Sequence, residues 1–194
     1  MFAENGEKVF MHVYWFQDSK IGHLNQVQAL LDELSKENEL AITKIQCPKR
    51  SILNWLKSFL PSAPIENQKD GVTLLIGAGH STYPQILKTQ QTLKKTANLL
   101  SVAILKPSFN ANAFDLVCAP EHDYPSTKKP NNVYAFKGSL ATTSLIEPTP
   151  NKGIIGLGGS SKHYEFDDEL VSKQIEYVLT THPHHHFHIY NSRR

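Results

Sequence analysis

Val9-Phe-Met-His-Val-Tyr-Trp-Phe16, then Gln17-Asp-Ser-Lys20, then Leu24, Val27, Leu30, Leu31 and Leu34: an apolar run, a polar turn and an apolar stripe, in an order that sets the fold class. A short run rich in β-branched and aromatic residues suits a strand covered on both faces. Apolar residues recurring at three- and four-residue steps mark a helix lying on such a sheet. The same rhythm repeats downstream. Residues 40–47 read as a second strand, 51–60 as a short amphipathic helix stopped by Pro61, 72–76 as a third strand and 83–95 as a helix. Three more strands follow at 99–105, 114–119 and 132–136. Alternating strands and helices predict an α/β protein with a Rossmann-like, doubly wound parallel sheet.

The rhythm breaks at Glu147-Pro-Thr-Pro-Asn-Lys152, which has two prolines, no apolar face and a stiff, extended preference. This reads as a linker, 147–152, between a first domain, 1–146, and a partial second one, 153–194. In the latter, Gly153-Ile-Ile-Gly-Leu157, a glycine-rich turn, a helix over 168–179 and a strand over 187–190 give the first β-α-β unit of another Rossmann-like domain.

The 20 basic and 18 acidic residues leave a formal charge of +2, too small an excess to indicate a nucleic-acid partner. Cys47 and Cys118 are far apart in apolar, strand-like settings, so neither a disulfide framework nor a zinc motif is implied. The first residues lack the basic start and apolar stretch of a secretory signal, and the expected location is cytoplasmic. The apolar stripe of Ile52, Trp55, Leu56, Phe59 and Leu60 suits core packing better than peripheral contact with a membrane, because the segment is short and has few basic residues.

Four groups of residues can carry chemistry. Gly77-Ala-Gly79-His80-Ser81 sits where a strand gives way to a helix, at the sheet edge where such folds bind ligands, although a tight turn explains its glycines equally well. Gly158-Gly159-Ser160-Ser161-Lys162 follows another strand. Its glycines let backbone approach a ligand and the next helix start offers a positive dipole, so anion binding is preferred there to a purely structural turn. It lacks the spacing of a P-loop. Glu121-His122-Asp123 sets two carboxylates and an imidazole after the fifth strand, as a general base or as a capped loop. Asp18, Lys20, Gly22, His23 and Gln26 occupy the first strand-to-helix turn, with helix capping the simpler role for Gln26. The histidines of His182-Pro-His-His-His186 and His188 have no spacing that defines a metal site, and none is assigned.

In order and spacing, Lys20-x-Gly22-His23-x-x-Gln26, Ile76-Gly-Ala-Gly-His80, Lys106-Pro107, Phe114-Asp115, Pro120-Glu-His-Asp123, Asn132-Val133, Gly138, Gly156-Leu-Gly-Gly-Ser-Ser-Lys-His-Tyr164 and Asn191-Ser-Arg-Arg194 resemble the mitochondrial-fission ELM family. That family includes a plant protein linked to mitochondrial fission and many bacterial proteins similar to GT-B glycosyltransferases. The resemblance implies an acceptor-side N-terminal domain and a donor-side C-terminal domain that binds a nucleoside-diphosphate sugar. On a glycosyltransferase-like reading of the turns above, Lys20, Gly22, His23, Gln26, Gly77, Gly79, Ser81 and Glu121 would contact substrate, and His80, His122 or Asp123 would orient or deprotonate the acceptor. The donor diphosphate would meet Gly158, Gly159, Ser160, Ser161, Lys162, Ser192 and Arg193, with neither metal nor other cofactor. Because a GT-B donor domain needs several β/α units, this chain is expected to be C-terminally truncated and weakly active or inactive. The alternative is a non-catalytic interaction protein. An uncovered two-strand remnant is expected to invite self-association.

Overall fold

The computed structural model describes residues 8–48, 71–93, 98–124, 129–144, 146–160 and 165–191. The helix expected over 51–60, and with it the membrane-surface reading, lies outside the described residues. The chain divides into two compact units, Met1–Thr143 and Ser144–Arg194.

In the first unit, β1 (Val9–Gln17), β2 (Asn38–Gln46), β3 (Val72–Ala78), β4 (Leu99–Ile104), β5 (Leu116–Pro120) and β6 (Val133–Phe136) form one six-stranded sheet in the order β2-β1-β3-β4-β5-β6. Every pairing is parallel, with Met11 opposite both Leu40 and Val72. The fold is α/β and Rossmann-like.

The pleat sorts side chains onto two faces. On one, Val13 and Trp15 of β1, Leu74 and Ile76 of β3, and Val102 and Ile104 of β4 pack with Val27 and Leu31 of α1 (Ile21–Glu37). On the other, Tyr14, Phe16, Leu75, Ala103 and Val117 pack with Tyr83 and Ile86 of α2 (Tyr83–Leu93). Helices on both faces explain why the strands read as continuous apolar runs rather than as alternating ones. Val27 and Leu31 are each only 1% exposed, and burying such side chains contributes about 1.5–3 kcal/mol apiece. After β6 the chain returns to α1, where Leu140 packs on the core and the Thr142 hydroxyl donates to Asp32 at 3.2 Å.

Most element ends shift by one to three residues from the sequence reading, and three of the shifts have a physical reason. α1 starts at Ile21, before the apolar stripe begins, because Ile21 is exposed and contributes nothing to that stripe. Leu105, read as the end of a strand, leaves β4 with φ +73. Phe114 belongs to the close of a 3-10 turn, Ala111–Ala113, and the strand begins two residues later, at Leu116.

In the second unit the described residues form one β-α-β element. β7 (Lys152–Leu157) and β8 (His186–Asn191) pair in parallel, Ile155 opposite Ile189, joined through α3 (Asp168–Thr181). Lys152, read with the linker, is the first residue of β7. Ile155 and Leu157 share a cleft of about 250 Å³ with Val171, Ile175 and Val178 of α3. On the opposite face of the pair Ile154 is 75% and Tyr190 58% exposed, and α3 has no buried residue.

Candidate functional site

The strand order reverses direction between β1 and β3. The chain steps outward from β1 to β2 on one side and from β3 through β6 on the other. The C-terminal ends of these two strands therefore frame the crevice in which open α/β sheets bind ligands. Two turns meet there: Gln17 to Ile21, from β1 to α1, and Gly79 to Thr82, from β3 to α2.

In the first turn Asp18 uses both carboxylate oxygens. Oδ1 accepts the backbone N–H of Lys20 at 3.0 Å and Oδ2 accepts Nδ1–H of His23 at 2.7 Å. The pair is mostly withdrawn from solvent, with 19% of the His23 side chain and 10% of Asp18 exposed. A carboxylate can only accept, so Nδ1 carries a proton, and in the neutral imidazole the lone pair lies on Nε2. Lys20 is the N-cap of α1 but makes no side-chain cap. Gln26 donates its amide to the Gly22 carbonyl at 3.3 Å, instead of accepting from the free N–H groups of the first helical turn. Its Oε1 is buried with no partner among the described residues.

The second turn is shaped by two glycines. Gly77, the last residue but one of β3, lies so close to its neighbours that a Cβ would be 2.8 Å from the Phe16 carbonyl oxygen and 2.9 Å from the Thr82 hydroxyl. Gly79 has φ +88, in the left-handed region that favours glycine. A Cβ on Gly79 would collide with Nδ1 and Cε1 of His23 and stand 3.1 Å from Asp18 Oδ2. The bare backbone of Gly79 is thus the wall against which the His23–Asp18 pair rests. Its carbonyl accepts the Thr82 hydroxyl at 2.8 Å, and its N–H donates to the Tyr83 hydroxyl at 3.2 Å.

The structure brings Gly77, Gly79 and His23 together. His80 is exposed and sets its ring edgewise on Tyr83 at 5.8 Å, and Ser81 is half-buried in the same turn. Glu121, His122 and Asp123 form a 3-10 helix after β5. His122 is 79% exposed and 3.9 Å from Asp123, so it does not pack on the strand end. Lys106 donates to the Asp123 carbonyl at 2.7 Å and lies over the Tyr124 ring at 5.0 Å, tying the loop after β4 to the one after β5.

In the second unit Gly158, Gly159 and Ser160 follow β7, and the Ser160 hydroxyl accepts the Phe166 N–H at 3.2 Å. Ser161, Lys162, Ser192 and Arg193 lie outside the described residues. The start of α3 does not offer an unopposed positive dipole. Asp167 caps it, accepting the Leu170 N–H at 2.9 Å, and Asp168 and Glu169 fill its first turn.

Sequence reasoning placed Asp18 and His23 in one turn without pairing them. The signal lay in their spacing, one residue past a strand and one in the first turn of the following helix. Tyr83 was read only as the start of a helix, because nothing local marks the carbonyls it reaches.

No curated protein and no solved structure matches the chain significantly. The sequence model of the family described as Mitochondrial fission ELM1 matches residues 21–194, a stretch that holds His23, the Gly77–Gly79 turn and all of the second unit, with Asp18 just before it. With most of its length matched, the chain belongs to the mitochondrial fission ELM1 family.

Proposed function

We propose that the chain acts in sugar transfer from a nucleoside diphosphate to an acceptor hydroxyl, in the cytoplasm, with the first unit on the acceptor side. The observation that carries this reading is the His23–Asp18 pair at the switch point. Asp18 fixes the tautomer, so that the neutral imidazole carries its lone pair on Nε2 as a general base needs, and the His23 side chain is 19% exposed. In the reaction Nε2 takes the acceptor's proton, the acceptor oxygen bonds to the anomeric carbon, and the bond from that carbon to the diphosphate breaks, releasing the nucleoside diphosphate. Lys20 and the uncapped N–H groups of α1 stand at the same edge and favour negative charge there. On the donor side, the resemblance in sequence supports Gly158, Gly159 and Ser160 as backbone contacts to the diphosphate. With three carboxylates at the start of α3, those contacts would come from the turn rather than from the helix dipole.

The test is thermal melting of the purified chain with nucleoside diphosphates and their sugars, followed by a transfer assay. A ligand held at a hundred times its Kd adds about 2.7 kcal/mol to stability. The reading expects a melting shift with at least one nucleotide and, for this chain alone, weak turnover at most, which falls by roughly a hundredfold or more in His23→Ala, the lower end of a general base's contribution. No shift and no turnover with any nucleotide sugar would sink it. That result would favour the second reading, a non-catalytic interaction protein, whose specific support is the exposed Ile154 and Tyr190 on one face of the second unit.

A further inference from the structure

We infer that Tyr83 is a positioning residue for the His23–Asp18 pair, its hydroxyl joining the turn that backs His23 to the strained backbone at the end of β4. The functional meaning of this role rests on the reading of His23 as a base. The physical linkage does not.

Tyr83 is fully buried at the first turn of α2, yet its hydroxyl both accepts and donates. It accepts the Gly79 N–H at 3.2 Å and donates toward the Ile104 carbonyl at 2.7 Å, with the Leu105 carbonyl also within reach at 3.1 Å. Burial pushes the Tyr83 hydroxyl well above the usual tyrosine pKa range, so it keeps its proton and remains a donor. The ring is held as well, edge to face with Phe114 at 5.5 Å and Phe109 at 6.2 Å. One oxygen atom thus connects the loop after β3 with the loop after β4.

Each end of that connection is constrained. At one end Gly79 leaves no space between its own backbone and the His23 ring. A displacement of the Gly79 N–H must therefore move the imidazole or open a gap beside it. At the other end Leu105, which is not a glycine, has φ +73, a conformation that persists only where its surroundings fix it. Its N–H donates to the Cys118 carbonyl at 2.8 Å, and the carbonyls around it face the Tyr83 hydroxyl. From Leu105 the chain turns into Lys106, whose ammonium reaches the Asp123 carbonyl. His23, Gly79, Tyr83, Leu105, Lys106 and Asp123 thus form one contiguous series along the sheet edge.

Tyr83→Phe keeps the ring and deletes that oxygen, leaving a buried N–H without its acceptor, a situation proteins relieve by moving backbone or admitting water. The readout is the His23 Nδ1–H proton in the NMR spectrum, protected from exchange while Asp18 holds it. Tyr83→Phe is expected to speed its exchange at least about tenfold, whereas Val133→Ala, a core truncation on β6, leaves it protected. Unchanged exchange in Tyr83→Phe, or equal acceleration in Val133→Ala, overturns the inference. Should Tyr83→Phe fail to fold, the unsubstituted protein decides. The Gly79 amide and the His23 Nδ1–H must show protection within about tenfold of each other, and a larger gap overturns the linkage. Neither measurement uses a substrate, so loss of the transfer reading and loss of this linkage are separate results.

Discussion

The two units share one building phrase, a strand, a helix and a parallel strand, but use it to different depths. In the first, α1 sinks Val27 and Leu31 into a sheet that α2 covers from the other side. In the second, α3 buries no residue and the far face of the strand pair leaves Ile154 and Tyr190 exposed. Both units also carry glycine-rich turns after a strand. Those of the first are packed to the point that a methyl group does not fit, while a Cβ on Gly158 or Gly159 meets nothing within 4 Å. Local pattern alone makes the phrase. Depth of burial determines whether its loops are held in one shape.

Four substitutions, in two pairs, measure that contrast, and a thiol reports on the first unit by itself. The largest difference is expected between Leu31→Ala and Val178→Ala. The first removes a side chain 1% exposed, at a cost of about 3 kcal/mol or more, and the second truncates a half-buried one, at a cost of about 1 kcal/mol or less, both read from urea denaturation. Equal losses would mean that the second unit is as tightly packed as the first.

Next comes Gly79→Ala against Gly158→Ala. The first forces a side chain onto a left-handed backbone and against His23, and should cost about 2–3 kcal/mol together with the Nδ1–H signal of His23. The second should stay within about 0.5 kcal/mol. A tolerated Gly79→Ala would show that the wall behind His23 yields.

The smallest effect concerns the thiols, which both lie in the first unit and so report on it alone. Burial pushes Cys118 up from 9.0 to about 11, favouring its protonated form in the folded chain. Its contribution to stability is fully present below pH 9 and is lost between pH 9 and about 11, because the unfolded thiol releases its proton first. Below pH 9, stability should therefore show no dependence on this group. Alkylation of Cys118 at pH 8 should be slow in the folded chain and fast in urea, and fast labelling without denaturant would place the thiol at the surface.

The fold was legible because its decisive signals are local. Apolar runs such as Val72 to Ile76 and the Leu24–Leu34 stripe each predict one element, and their alternation leaves little choice of architecture. The starts and stops were less legible where no side chain announces them. Lys20 provides no cap for α1, and Leu105 turns left-handed without the glycine that usually signals such a turn. Of the site, the turn containing His23 could be found in sequence. The roles of Gly79 and Tyr83 could not, since each depends on an atom from an element distant in sequence: the imidazole on α1 for one, the carbonyls ending β4 for the other.

That dependence has a consequence for the order in which the chain matures. Asp18 and His23 are near neighbours in sequence, and their bond requires only the first strand, turn and helix. Gly79 arrives on β3, whose pairing with β1 closes a long loop and must await that entropic cost. The imidazole and its carboxylate thus come from one β-α unit, but the wall that keeps water from them arrives only with β3, whose side chains also seat α1.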